Sequence, residues 1–323
     1  EARISPVNFP YYPFLLLIYY KYTKDRQNLQ QGIANGKKAG YNESSSPRRF
    51  AGVSLPTGEY SMILVVDIGN TTVSFGGIEI SDRNEYRVDF TTKLDTNCTW
   101  DTADYTVRLL KKLHLLGKER EEFSGIVISS VVPRVLDVIR EALDSIFGLE
   151  PLVVTCESKL GITLDVPEPQ KLGRDRLADS AWAAAHYELP LVTADLGTAT
   201  TFNVIKKGGI FCGGVIAAGM ETGLKALGAH TAQLPKLELQ TPERVIGRNT
   251  EGCMLSGAVY GTAALLDGVV AAVERELGER VSFVITGGGA AYVDRLVTHP
   301  HSYDPDMILK GLAYLYRLNK KEK

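Results

Sequence analysis

The chain is poor in cysteine, and the few it has form no pattern. Cys98, Cys156, Cys212 and Cys253 stand far apart in 323 residues, which argues against a disulfide framework or a zinc site and fits reduced thiols in a cytoplasmic setting. Histidine is as sparse. Of five, only His299 and His301 are near neighbours, and with no cysteine beside them they read as a surface pair rather than a metal cage. Net charge is scarce too, a formal −2 with a pI near 6.3. No general field therefore exists for gripping nucleic acid or an anionic membrane, and any anion must be held at a particular site. The apolar run in the first segment, Phe14 to Tyr20, falls short of the roughly 20 residues that span a bilayer, and no small-residue cleavage site follows it. The composition that remains, 44% hydrophobic and 23% charged, is that of a soluble globular chain long enough for two packed lobes.

Residues 1–61 stand apart. Tyr and Pro crowd YYPFLLLIYY from Tyr11, polar residues follow up to Arg49, and no periodicity sustains an element. Met62 then opens the strand ILVV, so the fold is expected to start there. The preceding stretch reads as appended or upstream sequence, with a peripheral-binding tail as the alternative. Beyond Met62, apolar β-branched runs (ILVV, GIVISSVV from Gly125, PLVVT from Pro151, LPLVTA from Leu189, VSFVIT from Val281) alternate with helical patterns over Arg134 to Phe147, Leu177 to Tyr187, Thr250 to Leu277 and Met307 to Leu318. That is a mixed α/β chain with a buried sheet. Its expected division is a first lobe over 62–178 and a second over 179–323, with the last helix able to return to the first.

One unit occurs twice. A strand, Asp-x-Gly, a Thr-rich turn and a second apolar strand appear as LVVDIGNTTVSFGGIE and again as LVTADLGTATTFNVIKKGG, the mark of a duplication. In each turn the glycine, Gly69 or Gly197, lets backbone N–H groups approach an anionic oxygen, and Thr and Asn side chains add donors. Asp67 and Asp195 would repel a bare phosphate, so a cation, magnesium by first choice, belongs between them and a nucleotide. Either turn alone is as well explained by an ordinary hairpin; the matched pair, facing across a cleft, favours a phosphate clamp. A third glycine turn, TGGGAAYV from Thr286, follows VSFVIT and suits the adenosine side, a weak signal by itself.

Between the repeats lies PQKLGRDRLADSAWAAAHY, where Gly173, Arg174, Asp175 and Arg176 precede an alanine-rich helix. Helix dipole and flanking cations favour the ionised form of Asp175. Phosphoryl transfer asks for an oriented hydroxyl and a carboxylate that takes its proton late, and Asp175 is the candidate. Arg176 can hold a substrate carboxylate with its planar fork, while Arg174 points about 100° away around the helix. Without the phosphate turns, a dipole-complementing Asp between solvated arginines would be the better reading.

In order, DIGNTTV, SSVVPRV, LGRDR, DLGTATT, GGVIAAG, LPKLEL, IGRNT and TGGG resemble type III pantothenate kinase over nearly all of Met62 to Lys323. The resemblance implies the duplicated, two-lobed, actin-like fold of acetate and sugar kinases, heat-shock proteins and actin, a homodimer, and ATP-dependent phosphorylation of pantothenate to 4'-phosphopantothenate, the first step toward coenzyme A. By the same likeness, Asp67, Ile68, Gly69, Asn70, Thr71, Thr72, Val73 and Ser74 bind ATP and Thr198 contacts its phosphates. Asp195 ligates potassium or ammonium, which leaves Mg2+ to Asp67. Gly173, Arg174, Asp175 and Arg176 line the pantothenate pocket, with Asp175 as proton acceptor, and Thr250 touches substrate. Three positions depart from many members: Val166 stands for Tyr, Arg174 for a small residue, and Ala218 for Pro. None removes a charged catalytic group, and the hydrogen bond to the substrate amide that Val166 is unable to make is worth only about 0.5–1.5 kcal/mol. The competing accounts are a non-catalytic accessory relative and another small-molecule kinase of the superfamily. The retained Asp67, Asp175 and Asp195 speak against the first, and LGRDR against the second.

Overall fold

A computed structural model describes residues 61–320; the expectations placed on residues 1–60 lie outside it. Two sheets are built on one plan. The first runs from β1 (Ser61–Ile68) through the hairpin strands β2 (Thr72–Ile80) and β3 (Tyr86–Asp95), then adds β4 (Phe123–Ser130) and β5 (Leu152–Val153), in the spatial order β3-β2-β1-β4-β5. The second comprises β7 (Leu191–Leu196), β8 (Ala199–Lys206), β9 (Ile210–Ala218), β10 (Ser282–Thr286) and β11 (Ser302–Tyr303), joined by β6 (Thr163–Leu164), in the order β11-β10-β7-β8-β9-β6. Within each, the first three strands are antiparallel neighbours, and the fourth and fifth are added in parallel beyond the first. This repeated topology is the duplicated actin-like arrangement.

The helices are α1 (Thr102–Leu115), α2 (Pro133–Phe147), α3 (Arg174–His186), α4 (Met220–His230), α5 (Thr250–Leu277), the short α6 (Ala290–Val293) and α7 (Met307–Asn319). Their ends follow local chemistry: Asp101 and Asp104 form a capping box at α1, Pro133 opens α2, and Asn249 caps α5 by accepting from the Gly252 N–H at 2.8 Å. Gly148 and Gly278 close α2 and α5 in the left-handed region.

Both faces of each sheet are covered, which is why ILVV in β1 is apolar without alternation. Leu64, Val66 and Ile68 meet α1 and α2 through Tyr105, Leu109, Ile139 and Leu143. Ile63 and Val65 meet α3 and α7 through Leu177, Ala178, Leu312 and Leu315. In the second sheet Val192, Ala194 and Phe202 pack on α5 and α6, while Leu191 and Val284 face Trp182 and Ala183 of α3. Each such side chain contributes roughly 1.5–3 kcal/mol on burial. Helix α3 is thus wedged between the inner faces of both sheets, and the boundary set at 178/179 falls inside it. The last helix, α7, packs on the first sheet and α3. Helix α5 is long and apolar enough to cross a bilayer, yet Met254, Val259, Ala263, Leu266 and Val270 are buried, the last four of them against the second sheet.

Candidate active site

The repeated turns meet. Gly69 donates its N–H to the Thr72 carbonyl at 3.0 Å and Gly197 to that of Ala199 at 3.0 Å, so the glycine N–H closes each turn, the first being one residue longer than the second. The hydroxyls of Thr71 and Thr198, one from each turn, stand 3.3 Å apart. Asn70, Thr71 and Thr198 are exposed, and Thr72 and Ser74 partly so. Ile68 and Val73 are wholly buried in the first core, so only their backbone can reach a ligand.

Helix α3 places its first turn between the lobes. Its two arginines diverge, as their positions on the helix require. Arg174 Nη1 donates to the Ser130 carbonyl of β4 at 2.7 Å. Arg176 reaches the second sheet, giving Nε to Asn203 Oδ1 at 2.7 Å and Nη2 to the Phe202 carbonyl at 3.3 Å, with its guanidinium over the Phe211 ring. Only Nη1 of Arg176 is left uncommitted by these bonds. Asp175, between them, accepts the Arg176 N–H at 2.8 Å. Gly173 leaves space that a β-carbon would take from the Asp175 carboxylate.

The cluster holds a fourth carboxylate that sequence reasoning passed over. Asp179 lies one helical turn beyond Asp175, on the same face; it is 2% exposed, and its Oδ1 has no hydrogen-bond partner. Burial first, then the charges of Asp195, Asp175, Asp67 and Asp304, push its carboxyl well above the usual range. The same forces act on the turns. Asp67, enclosed although its rim is open to the cleft, is raised to about 7 by desolvation and then by Asp175, with Asp195 adding to the rise and Lys93 opposing it. Ser129 Oγ also favours its charged form, yet completes no hydrogen bond of normal geometry. Asp195 is raised to about 6 by desolvation and Asp175. Among the described residues no three acidic, His or Cys side chains converge as a metal cage. A cation here would therefore have one or two protein ligands and complete its shell with phosphate and water. The raised carboxyls and the unpartnered Asp179 oxygen suit that, because a cation relieves their mutual repulsion.

The third glycine turn rests on Asp195 rather than standing free. Gly287, at φ +87, leaves no room for a β-carbon beside the Asp195 carboxylate, and Gly289 donates to the Leu196 carbonyl at 2.8 Å. Thr250 is exposed in the first turn of α5, and no hydrogen bond links it to the cluster. A groove of about 330 Å³ beside Phe123 and Phe147 opens at the other end of β4 from Ser129 and shares no residue with the cluster.

Duplicated lobes, paired Asp–Gly–Thr turns in contact and a carboxylate on the helix between them define a phosphotransferase of the two-lobed α/β class. The family profile for type III pantothenate kinase matches residues 63–313, and the chain belongs to that family. The type III pantothenate kinase of Phenylobacterium zucineum is 34% identical over 80% of this chain and 99% of its own length. That of Rhizorhabdus wittichii is 36% identical over 79% and 97%. Among solved structures, a putative N-acetylmannosamine kinase from Listeria monocytogenes superposes loosely, with a TM-score of 0.44 at 14% identity over 79% of this chain and 98% of that one.

Proposed function

We propose that the protein transfers the terminal phosphoryl group of ATP to the primary hydroxyl of pantothenate, giving 4'-phosphopantothenate and ADP, the entry to coenzyme A. The observation that carries this is family membership over 63–313 together with Asp175 standing between the two aspartate-bearing turns. The first turn, Asp67 to Ser74, offers backbone N–H groups and hydroxyls to the phosphates, and Thr198 joins it from the other lobe. Asp175 accepts the hydroxyl proton as the alcohol oxygen bonds to the γ-phosphorus and the bond to the ADP oxygen breaks. Arg176, braced by Asn203, directs its remaining donor at the substrate carboxylate, with Gly173 and Arg174 alongside. Asp67 is the group that would hold Mg2+ and Asp195 the group that would hold potassium or ammonium; bound cations would supply charge neutralisation along the phosphates.

The protein acts in the cytoplasm, without nucleic acid or membrane, as a homodimer. Supporting the dimer, Val215, Ile216, Leu227, Val245 and Ile246 are exposed apolar residues, and Val245 is tied to α5 through its carbonyl, which accepts from the Ser256 hydroxyl. The test is direct. Purified protein given ATP, pantothenate and potassium should form phosphopantothenate, with other hydroxylated acids and sugars run beside it. Absence of product with potassium or ammonium present would sink the reading.

A further inference from the structure

The duplication sets matching rows of residues across the two sheets, and one end of the first row lies outside the chemistry assigned to the turns. In the second sheet Ile216, Thr201, Asp195 and Thr286 are paired side by side on β9, β8, β7 and β10. In the first, Lys93, Ser74, Asp67 and Ser129 hold the corresponding places on β3, β2, β1 and β4. Directly paired residues on neighbouring strands project to one face. For this row it is the face whose Ile63 and Val65 pack toward α3, so Lys93 shares the cleft side with Asp67 at a separation of two strands, roughly 10 Å.

Lys93 is exposed there. Its neighbours on β3 are engaged, Arg87 with Glu79 and Asp89 with Lys118, whereas Lys93 has no ion-pair partner among the described residues. Its charge is nevertheless felt at Asp67. The turn DIGNTTVS contains no Lys or Arg of its own, and the α3 arginines are bonded to Ser130, Asn203 and Phe202. A polyphosphate entering a site with Asp67, Asp175, Asp179 and Asp195 needs positive charge on its open side, and an ammonium on a flexible stem is suited to supply it.

We propose that Lys93 is a phosphate-binding residue of the nucleotide site, its ammonium meeting the ATP phosphate chain across Ser74 from the first turn. This rests on the reading that ATP phosphates lie on that turn. The experiment compares Lys93→Met and Lys93→Arg with the natural chain, titrating each with a non-hydrolysable ATP analogue and, in parallel, with adenosine. Lys93→Met should weaken analogue binding about tenfold, leave adenosine binding unchanged and raise the KM for ATP without moving that for pantothenate. Lys93→Arg should restore most of the loss. A change below about twofold for the analogue, or an equal loss for adenosine, overturns the assignment. Binding is read without turnover, so the two readings fail separately. Natural protein that binds the analogue with Lys93-dependent affinity but phosphorylates no pantothenate would overturn the proposed function and uphold Lys93. Normal turnover with analogue binding indifferent to Lys93→Met would do the reverse.

Discussion

The two lobes give their aspartates matching hydroxyl neighbours, Ser74 and Ser129 in the first and Thr201 and Thr286 in the second, but the first lobe adds Lys93 and the Thr96 hydroxyl that donates to the Gly69 carbonyl at 2.7 Å. The second lobe packs its turn instead: Gly287 and Gly289 press on Asp195 and Leu196, Gly219 lies against Gly197 and Thr198, and an exposed Ile216 stands where the first lobe has Lys93. Strand order is shared and the first turn is only one residue longer than the second, so most of these contrasts come from neighbours rather than from scaffold. A duplicated fold supplies two equivalent aspartates, and the difference in what surrounds them is what supports the proposed division, one as a group for a charged nucleotide and the other as a group for a small cation under a glycine turn. Helix α3 occurs once, and it places Asp175 where both turns can use it.

Breaking that shared point should have the largest effect. Asp175→Asn keeps an oxygen for the Arg176 N–H but removes the proposed proton acceptor. We expect turnover to fall by about 10²–10⁴-fold while ATP-analogue affinity stays within about twofold. Near-normal turnover would remove Asp175 from that role. The paired variants Asp67→Asn and Asp195→Asn then sharpen the inequality of the turns. Asp67→Asn should raise the KM for magnesium–ATP by about tenfold or more, whereas Asp195→Asn should chiefly change the dependence of rate on potassium or ammonium. If both variants shift the magnesium–ATP and potassium curves alike, the turns are equivalent and divide no labour between them.

Much of the molecule is legible in its sequence. Long apolar runs and strongly periodic helices announce themselves, and α5 spans the same Thr250 to Leu277 that periodicity indicates. Helix α3 begins at Arg174, ahead of the apolar stripe from Leu177, because its first turn faces the polar cleft and gives no amphipathic signal. PLVVT yields only Leu152–Val153 as strand, and the two-residue β6 and β11 are too short to show a period. Asp179 hides as one polar residue in an alanine-rich helix, although its spacing of four from Asp175 puts both on one face. Lys93 has no signature in the sequence at all, because its place beside Asp67 depends on two strand registers.

The smallest expected effect is on stability, and it tests whether the carboxylates of the two turns are strained in the absence of ligands. Asp67 and Asp195 have folded-state values near 7 and 6, both above their ordinary 3.8, and Asp179 is raised as well. A raised carboxyl binds its proton more tightly in the native state, so its contribution is complete below the ordinary value and is lost as pH climbs through the folded value. Ligand-free protein should therefore lose a few degrees of Tm between about pH 4 and about pH 7, most steeply between about 5 and 6, where the folded chain keeps both protons and the unfolded chain has lost them, and level off by about pH 8. Asp179→Asn, which keeps the shape and removes the ionisable group facing Asp67, Asp175 and Asp195, should flatten that slope and match or exceed the natural Tm at pH 8. Potassium with magnesium–ATP should flatten it as well, since cations replace the missing protons. A Tm that rises with pH over this window in ligand-free protein, or an Asp179→Asn chain less stable at pH 8 than the natural one, would show that these carboxylates ionise without mutual repulsion and would remove the electrostatic basis for placing cations beside both turns.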